Sequence, residues 1–283
     1  MKNELIQKYT LNNEDFVKYY NDVLVFLKTG KLPKKENTII IVGGQSGAGK
    51  SRLIPVARKH LKNNVVIIDF DELRSLHPYY NEVNEKYFEL AHRILHADVE
   101  KVKNKILENL RQEKYDVIYE GALRNTEGFL DFARDFKKSG YNIKMYILAV
   151  PELESLGSNY LRYAMQLLLD ENPRWVEKQA HDESYNGVIK TVSAFENEGL
   201  SDNIEVFIRG KNKPIKIYPK GKLEFKNVIE AILYGRESNR KKAIKDFSVK
   251  FETVTTILKS KNPQIISKLD KWVELYNKEK ENI

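Results

Sequence analysis

The chain of 283 residues contains no cysteine. That absence removes disulfide frameworks, thiolate metal sites, cysteine nucleophiles and iron–sulfur clusters together. No stretch approaches the roughly 18 consecutive apolar residues that a membrane helix needs, so no membrane span is expected. Met1-Lys2-Asn3-Glu4 is followed by no apolar h-region, so no secretory signal is expected. With thiols also missing, the expected setting is reducing and cytoplasmic. The five histidines form no H-E-x-x-H or other metal spacing, and His77 and His181 are expected to be structural or at the surface. No internal repeat and no low-complexity tract interrupts the chain.

What remains is a composition that folds. Hydrophobic residues make up 41% and aromatic residues 11%, too much for a chain that stays disordered. A chain of this length hides roughly 75% of its unfolded surface and suits one large domain or two small ones. The net charge of +8 favours anionic partners, either nucleic acid or a site that gathers phosphate groups.

The hydropathy pattern alternates strand and helix. Asn12 followed by Glu14 and Asp15 signals a helix start, and Phe16, Tyr19, Tyr20, Val23, Leu24 and Leu27 follow at helical spacing up to Gly30 as a C-terminal cap. Strands are expected at 38–43, from Val65 to Phe70, from Val117 to Glu120-Gly121 and at 143–149. Between them, helices are expected near 50–62, over one long stretch at about 82–113, and near 126–138. Mostly helical chain follows over 152–199, then a strand pair, Ile204–Ile208 and Ile215–Tyr218, then amphipathic Lys-rich helices. This order predicts an α/β fold, a parallel sheet flanked by helices with N- and C-terminal helical extensions. The expected divisions are 1–35, a core over 36–235 with an arginine-bearing lid near 155–182, and 236–283. The cation-rich run Arg236 to Lys245 reads as a solvated helix face.

The strongest chemical signal is Gly43-Gly44-Gln45-Ser46-Gly47-Ala48-Gly49-Lys50-Ser51, which contains a complete G-x-x-x-x-G-K-[ST] from Gly44 to Ser51. Glycines let the backbone curl so that successive N–H groups converge on one phosphate, and the next helix brings its positive end to the same place. Lys50 can reach the β- and γ-phosphates and Ser51 can ligate Mg²⁺, so the cofactors implied are ATP and Mg²⁺. No N-K-x-D element for guanine recognition and no G-x-G-x-x-G dinucleotide spacing is present.

A phosphate cradle gives nucleotide binding and leaves the reaction open. Asp69-Phe70-Asp71-Glu72 closes the strand after the P-loop helix. Two carboxylates two residues apart on an extended chain point the same way, which suits a base that accepts a hydroxyl proton in phosphoryl transfer. Asp71-Glu72 could equally cap the element that follows. Glu120, a second acid at a strand end, suits a substrate hydroxyl or a metal-bound water. Arg162 and Arg174 flank the turn Asp170-Glu171-Asn172-Pro173 and could close over phosphates as planar, bidentate donors.

Taken in order, these segments resemble the zeta toxins, the P-loop kinases of toxin–antitoxin systems. The matching segments are the P-loop, Ile67-Ile68-Asp69-Phe70-Asp71 with His77-Pro78, Tyr119-Glu120-Gly121, Arg124, Gly140-Tyr141, Lys144-Met145-Tyr146, Ala149-Val150-Pro151, Arg162-Tyr163 and Lys178-Gln179-Ala180-His181-Asp182. The resemblance is close over about 38–210. It implies phosphorylation of the 3′-hydroxyl of the amino sugar of UDP-N-acetylglucosamine, which blocks cell-wall precursor synthesis. It implies Lys50 as the phosphate lysine, Asp71 as the base, Arg162 and Arg174 bracketing the phosphates, Ser51 on magnesium, and Glu120 and Arg124 lining the sugar-nucleotide pocket. It also implies a small helical antitoxin as partner. Where the family has Thr, this chain has Ala122. Where the family has a substrate-binding Glu, it has Asn104, with Glu100 one turn earlier on the same helix face. Around Arg174 it reads Pro173-Arg174-Trp175-Val176-Glu177-Lys178. These departures bear on the acceptor, so a related UDP-sugar or a different small metabolite is also an expected substrate. A polynucleotide kinase, an antibiotic kinase and a non-catalytic nucleotide binder are the competing readings; a sugar-nucleotide enzyme disfavours nucleic acid as partner, and steep salt dependence of binding would restore it.

Overall fold

A computed structural model describes residues 2–87, 90–169, 171, 173–211, 213–216 and 225–282. In chain order the elements are α1 (Lys2–Tyr9), α2 (Asn13–Lys28), β1 (Thr38–Gly43), a 3₁₀ turn (Lys50–Leu53), α3 (Ile54–His60), β2 (Val66–Ile68), α4 (Phe70–Ser75), α5 (Tyr80–Tyr87), α6 (Ala91–Ile94), α7 (His96–Gln112) and β3 (Val117–Gly121). They continue as α8 (Thr126–Lys138), β4 (Asn142–Ala149), α9 (Glu152–Leu168), α10 (Lys178–Asn197), β5 (Asn203–Ile208), β6 (Ile215–Lys216), α11 (Val228–Ser238), α12 (Arg240–Lys261), a 3₁₀ stretch (Pro263–Leu269) and α13 (Asp270–Glu281). The strands hydrogen-bond in the order β2-β3-β1-β4-β5-β6. Five are parallel, flanked by helices, and β6 closes the edge antiparallel to β5. The expected α/β class is therefore the observed one. Ile217 and Tyr218 of the expected last strand, and Asp170 and Asn172 of the expected turn, lie outside the described residues.

The buried strands are near-continuous apolar runs, as parallel strands covered on both faces must be. Ile39, Ile40, Ile41 and Val42 are wholly buried, as are Ile143, Met145 and Ile147 of β4.

The chain forms two compact units. The first comprises 1–41, 54–120 and 135–142. In it α2 is capped as expected: Asn12 Oδ1 accepts from the Asp15 amide at 2.9 Å, and Gly30 beyond the helix end has φ +70°. Its buried face is Phe16, Tyr19, Val23 and Leu27. Tyr19 Oη donates to the Leu73 carbonyl at 2.6 Å and so ties α2 to α4. His77 is buried, with Nε2 3.4 Å from Asp98 Oδ2 and Nδ1 accepting from the Tyr79 amide at 3.1 Å; it is structural.

Two expectations need correction in this unit. The strand expected to reach Phe70 ends at Ile68, because Asp69 is the N-cap of α4, its side chain accepting from the Asp71 amide at 2.8 Å. Asp69 and Asp71 are thus a cap and a first-turn residue, not neighbours on one strand face. The single helix expected over about 82–113 is three, α5, α6 and α7. Leu95, at φ −88° and ψ −3°, ends α6 and starts α7.

The second unit comprises 42–53, 121–134 and 143–283. The expected helix at 50–62 begins as a 3₁₀ turn and becomes α-helical at Ile54, with Pro55 in its first turn, where a missing N–H costs nothing. The C-terminal helices pack on α9 around Tyr160, Tyr163, Phe247, Leu258 and Trp272. Arg236, read from sequence as part of a solvated face, is buried: its guanidinium lies 3.6 Å from the Tyr185 ring centroid and donates to the Tyr185 carbonyl at 2.6 Å. Burial pulls its pKa down, and the Tyr185 and Glu152 side chains oppose that pull. No helix among the described residues is long and apolar enough to cross a membrane.

Candidate functional site

The glycine-rich loop between β1 and α3 belongs to the second unit. Gly47 and Gly49 have φ of +76° and +87°, which only glycine adopts without strain. Gly47 is also sterically required, since a Cβ there would stand 2.0 Å from the Ser155 carbonyl oxygen. A Cβ on Gly49 would meet nothing within 4 Å, so the loop opens there into free space. Gly44 lets the Lys50 stem fold back across the loop: its Cβ would lie 3.3 Å from Lys50 Cγ, and Lys50 Nζ donates to the Gln45 carbonyl at 3.4 Å. Ser51, one residue on, is exposed. Curled backbone, open mouth, ammonium and adjacent hydroxyl fit a Mg²⁺-bound triphosphate.

The loop is held from behind by a buried polar network. Gln45 is fully buried and donates through Nε2 to the Val150 carbonyl at 2.7 Å and to Ser155 Oγ at 3.2 Å. The Ser46 amide donates to Ser184 Oγ at 3.1 Å, and Ser46 Oγ donates to Asn159 Oδ1 at 3.0 Å. The side chains of Gln45 and Ser46 are therefore engaged inside the protein. Arg162 Nη2 donates to the same Asn159 oxygen at 3.2 Å, so one buried amide joins the loop to a candidate phosphate arginine.

His181 stands at the end of this network, fully buried, with Nε2 2.8 Å from Ser155 Oγ and Nδ1 3.3 Å from Asp182 Oδ1. Burial lowers its pKa to about 4, against the opposing pull of Asp182, so the ring is neutral. Glu152, His181 and Asp182 bring three ligand atoms within 4.8 Å of one another. The Lys178 ammonium bridges the two carboxylates, at 3.2 Å from Glu152 and 2.6 Å from Asp182, and supplies the positive charge they call for.

Arg174 lies on the segment between α9 and α10, exposed, its amide donating to Gln166 Oε1 at 3.3 Å. Arg124 follows Leu123, a buried residue held at φ +53°. A left-handed φ at a leucine is strained, and the surroundings enforce it. Thr191 Oγ1 donates to the Leu123 carbonyl at 3.0 Å, and Gly187 packs so close that a Cβ would stand 2.6 Å from that oxygen. Arg124 lines a cleft of about 500 Å³ together with Lys178, Asn186, Lys190 and Lys271.

The acids belong to the first unit. Asp71, half exposed in α4, is ion-paired with Arg74, which is buried under it. Glu100 on α7 receives Lys103 Nζ at 2.6 Å. Lys103 itself is buried, 5.9 Å from the Phe70 ring centroid and 5.7 Å from that of Tyr119. It thus stands among the elements that carry Asp71, Glu100 and Glu120. Asn104 is exposed on α7, and Glu120 is half-buried near the end of β3. Lys103, Ser155, Asn159 and Ser184 carry the site's internal wiring and were not singled out from sequence. Lys103 had a readable signal: it is a charge on the apolar face of α7, between Val102 and Ile106.

Comparison with known proteins bears on the family and the fold. A sequence model of the zeta toxin family matches residues 24–222. Toxin PezT of Streptococcus pneumoniae serotype 4 is 29% identical over 209 residues, covering 73% of this chain and 81% of that protein. Toxin zeta of Streptococcus pyogenes is 26% identical over 243 residues, covering 86% and 83%. Among solved structures, a chain from the PezAT chromosomal toxin–antitoxin system of Streptococcus pneumoniae shares the fold with a TM-score of 0.75 at 21% identity, over 87% of this chain and 98% of that one. A chain from the AvrRxo1-ORF1:ORF2 complex with ATP does so at 0.53 and 12%, over 96% and 84%. The family match takes in the glycine cradle, Asp71 and both candidate arginines, and the chain belongs to the zeta toxin family.

Proposed function

We propose that the protein is a cytoplasmic, Mg²⁺- and ATP-dependent kinase that phosphorylates the 3′-hydroxyl of the amino sugar of UDP-N-acetylglucosamine or of a related UDP-sugar. The observation that carries this reading is the cradle itself: a loop with glycines at φ +76° and +87°, locked from behind by Ser155, Asn159 and Ser184, with Arg162 joined to it through Asn159. A left-handed Gly49 facing open space, Lys50 beside it and Arg162 tied to the same loop through Asn159 together suit a polyanion.

In this reading the loop amides and Lys50 hold the β- and γ-phosphates, and Arg162 and Arg174 neutralise the equatorial oxygens of the transferring phosphoryl group. Ser51 would hold Mg²⁺, which when bound would supply charge neutralisation to the phosphates. Asp71 accepts the proton of the acceptor hydroxyl. The hydroxyl oxygen forms a bond to the γ-phosphorus as the bond to the β-phosphate oxygen breaks, and ADP leaves. The Asp71–Arg74 ion pair and the Asp69 cap orient that carboxylate. Glu120, Arg124, Glu100 and Asn104 are assigned to the acceptor. The PezAT and AvrRxo1-ORF1:ORF2 structures are of toxin–antitoxin and two-protein assemblies, and by analogy a small helical antitoxin is the partner proposed here.

The test is a panel of UDP-sugars with Mg·ATP, read by mass spectrometry for one added phosphate. Removing a general base typically costs 10²–10⁴-fold, so Asp71→Ala should keep ATP affinity and lose turnover by about that factor. Near wild-type turnover in Asp71→Ala would remove the base assignment, and no phosphorylated product from any UDP-sugar would remove the acceptor.

A further inference from the structure

The surroundings of Trp175 give it a task. Its indole stacks on Tyr160, with centroids 4.8 Å apart and planes at 12°, and meets Tyr163 edge-on at 5.1 Å and 80°. Lys268 covers it with Nζ 5.6 Å from the centroid and is fixed there by an ion pair of 2.9 Å to Glu177. Behind Tyr160 stands Trp272, edge-on at 5.5 Å, fitted against Gly157 so closely that a Cβ there would be 2.4 Å from its ring. Asn262 Nδ2 donates to Tyr163 Oη at 3.1 Å. The slot is thus walled by α9 and backed by residues 262–272, beyond residue 222, where the family match ends.

The two residues that flank the slot's contents are the two candidate phosphate arginines. Arg162 lies on α9 between Tyr160 and Tyr163, the slot's walls. Arg174 is joined to Trp175, the ring that fills it. Along the segment, Pro173 and Val176 are buried and Trp175 half-buried, while Arg174 and Glu177 are exposed, so the chain is pinned on both sides of an exposed arginine. Among the described residues the indole Nε1 is buried without a hydrogen-bond partner, so the ring is held by its stacked and edge contacts alone. Flat shape and breadth are what the slot selects.

We propose that Trp175 is a positioning residue that sets the separation of Arg162 from Arg174, and that the C-terminal helices act on phosphoryl transfer through it. Preorganised donors lose most of their effect when misplaced by about 1 Å, so an emptied slot frees Arg174 and weakens its grip on the γ-phosphate specifically. The inference rests on the nucleotide reading of the loop but needs no acceptor.

The experiment is calorimetry of ATP and ADP, each with Mg²⁺, on wild type, Trp175→Ala, Trp175→Phe, Arg174→Ala and the double variant Arg174→Ala/Trp175→Ala. The quantity read is the ratio of the ADP to the ATP dissociation constant. Arg174→Ala should lower it by about 10-fold, Trp175→Ala nearly as much, and the double variant no further than Arg174→Ala alone. Trp175→Phe should stay within about 3-fold of wild type, because a flat ring remains, and ADP affinity should be unchanged in all. Should Trp175→Ala fail to fold, Trp175→Leu, which fills space without a flat face, carries the same expectation. A folded Trp175→Ala or Trp175→Leu with the wild-type ratio overturns the inference, as does a double variant whose loss is the product of the single losses. A wild-type protein that binds neither nucleotide would instead remove the kinase reading and this inference together.

Discussion

Acidification should weaken the unit that carries the glycine loop, and His181 is the reason. Its pKa falls from 6.5 to about 4 because it is buried, and the Asp182 carboxylate beside Nδ1 only partly opposes this. Above pH 6.5 the ring is neutral in both the folded and unfolded chain, and pH has no effect through it. Below pH 6.5 the unfolded chain takes up a proton that the folded chain refuses until about pH 4, so stability is lost as pH falls through that window. At about 1.4 kcal/mol per unit, the full loss is about 3 kcal/mol and the loss by pH 5 about 2 kcal/mol. His181→Gln does not titrate there. Its stability at pH 7 should be lower by about 1–3 kcal/mol, because Ser155 Oγ loses a partner inside the network. Its further loss between pH 7 and pH 5, however, should be smaller than wild type's by about 2 kcal/mol. Both tryptophans, Trp175 and Trp272, lie in the second unit, so urea unfolding followed by tryptophan fluorescence reads that unit directly. Parallel pH profiles for wild type and His181→Gln would refute the argument. Since His181 holds Ser155, and Ser155 holds Gln45 of the loop, ATP affinity should weaken in the same pH window.

Other substitutions follow from single contacts. Gly47→Ala places a Cβ 2.0 Å from the Ser155 carbonyl at a φ of +76°, so the loop must move away from α9; ATP affinity measured by calorimetry should fall by at least about 10²-fold, against a smaller change in melting temperature. Asp69→Ala removes the α4 cap at a cost of about 0.5–2 kcal/mol and frees the first turn that carries Asp71. Turnover should drop while the Michaelis constant for ATP stays within about 2-fold, and Asp69→Asn, which keeps the acceptor oxygen of the cap, should restore most of it.

The parts of this molecule that were readable in advance are those whose physics is local. A left-handed glycine, an asparagine cap on α2, a run of four buried aliphatics in β1 and a lysine after the loop each act within a few residues, so their spacing along the chain is their spacing in space. Asp69 was misread although it too is local. An aspartate after a β run can end a strand or begin a helix, and only the turn to helical backbone at Phe70 decides. The break at Leu95 left no mark in the sequence, since neither glycine nor proline is there and the apolar period runs on from Ile94 through Val99.

Arg236 shows a different error, one of averaging. A run rich in cations suggests a wet face, yet helical period alone puts Arg236 on the side of Val228, Ala231, Ile232 and Gly235, all buried in α11. Its place in the period outweighs the charge of its neighbours. The partners that make the site work could not be found by either route. Gln45 meets Ser155 across 110 residues, Ser46 meets Ser184 across 138, and Arg162 reaches the loop only because Asn159 turns its oxygen toward both. Motifs locate the groups that touch a phosphate; the rigidity that makes those groups effective comes from buried serines and amides with ordinary sequence surroundings. A chain carrying the same loop and arginines but apolar residues at 155, 159 and 184 should therefore still match the motif and bind ATP loosely.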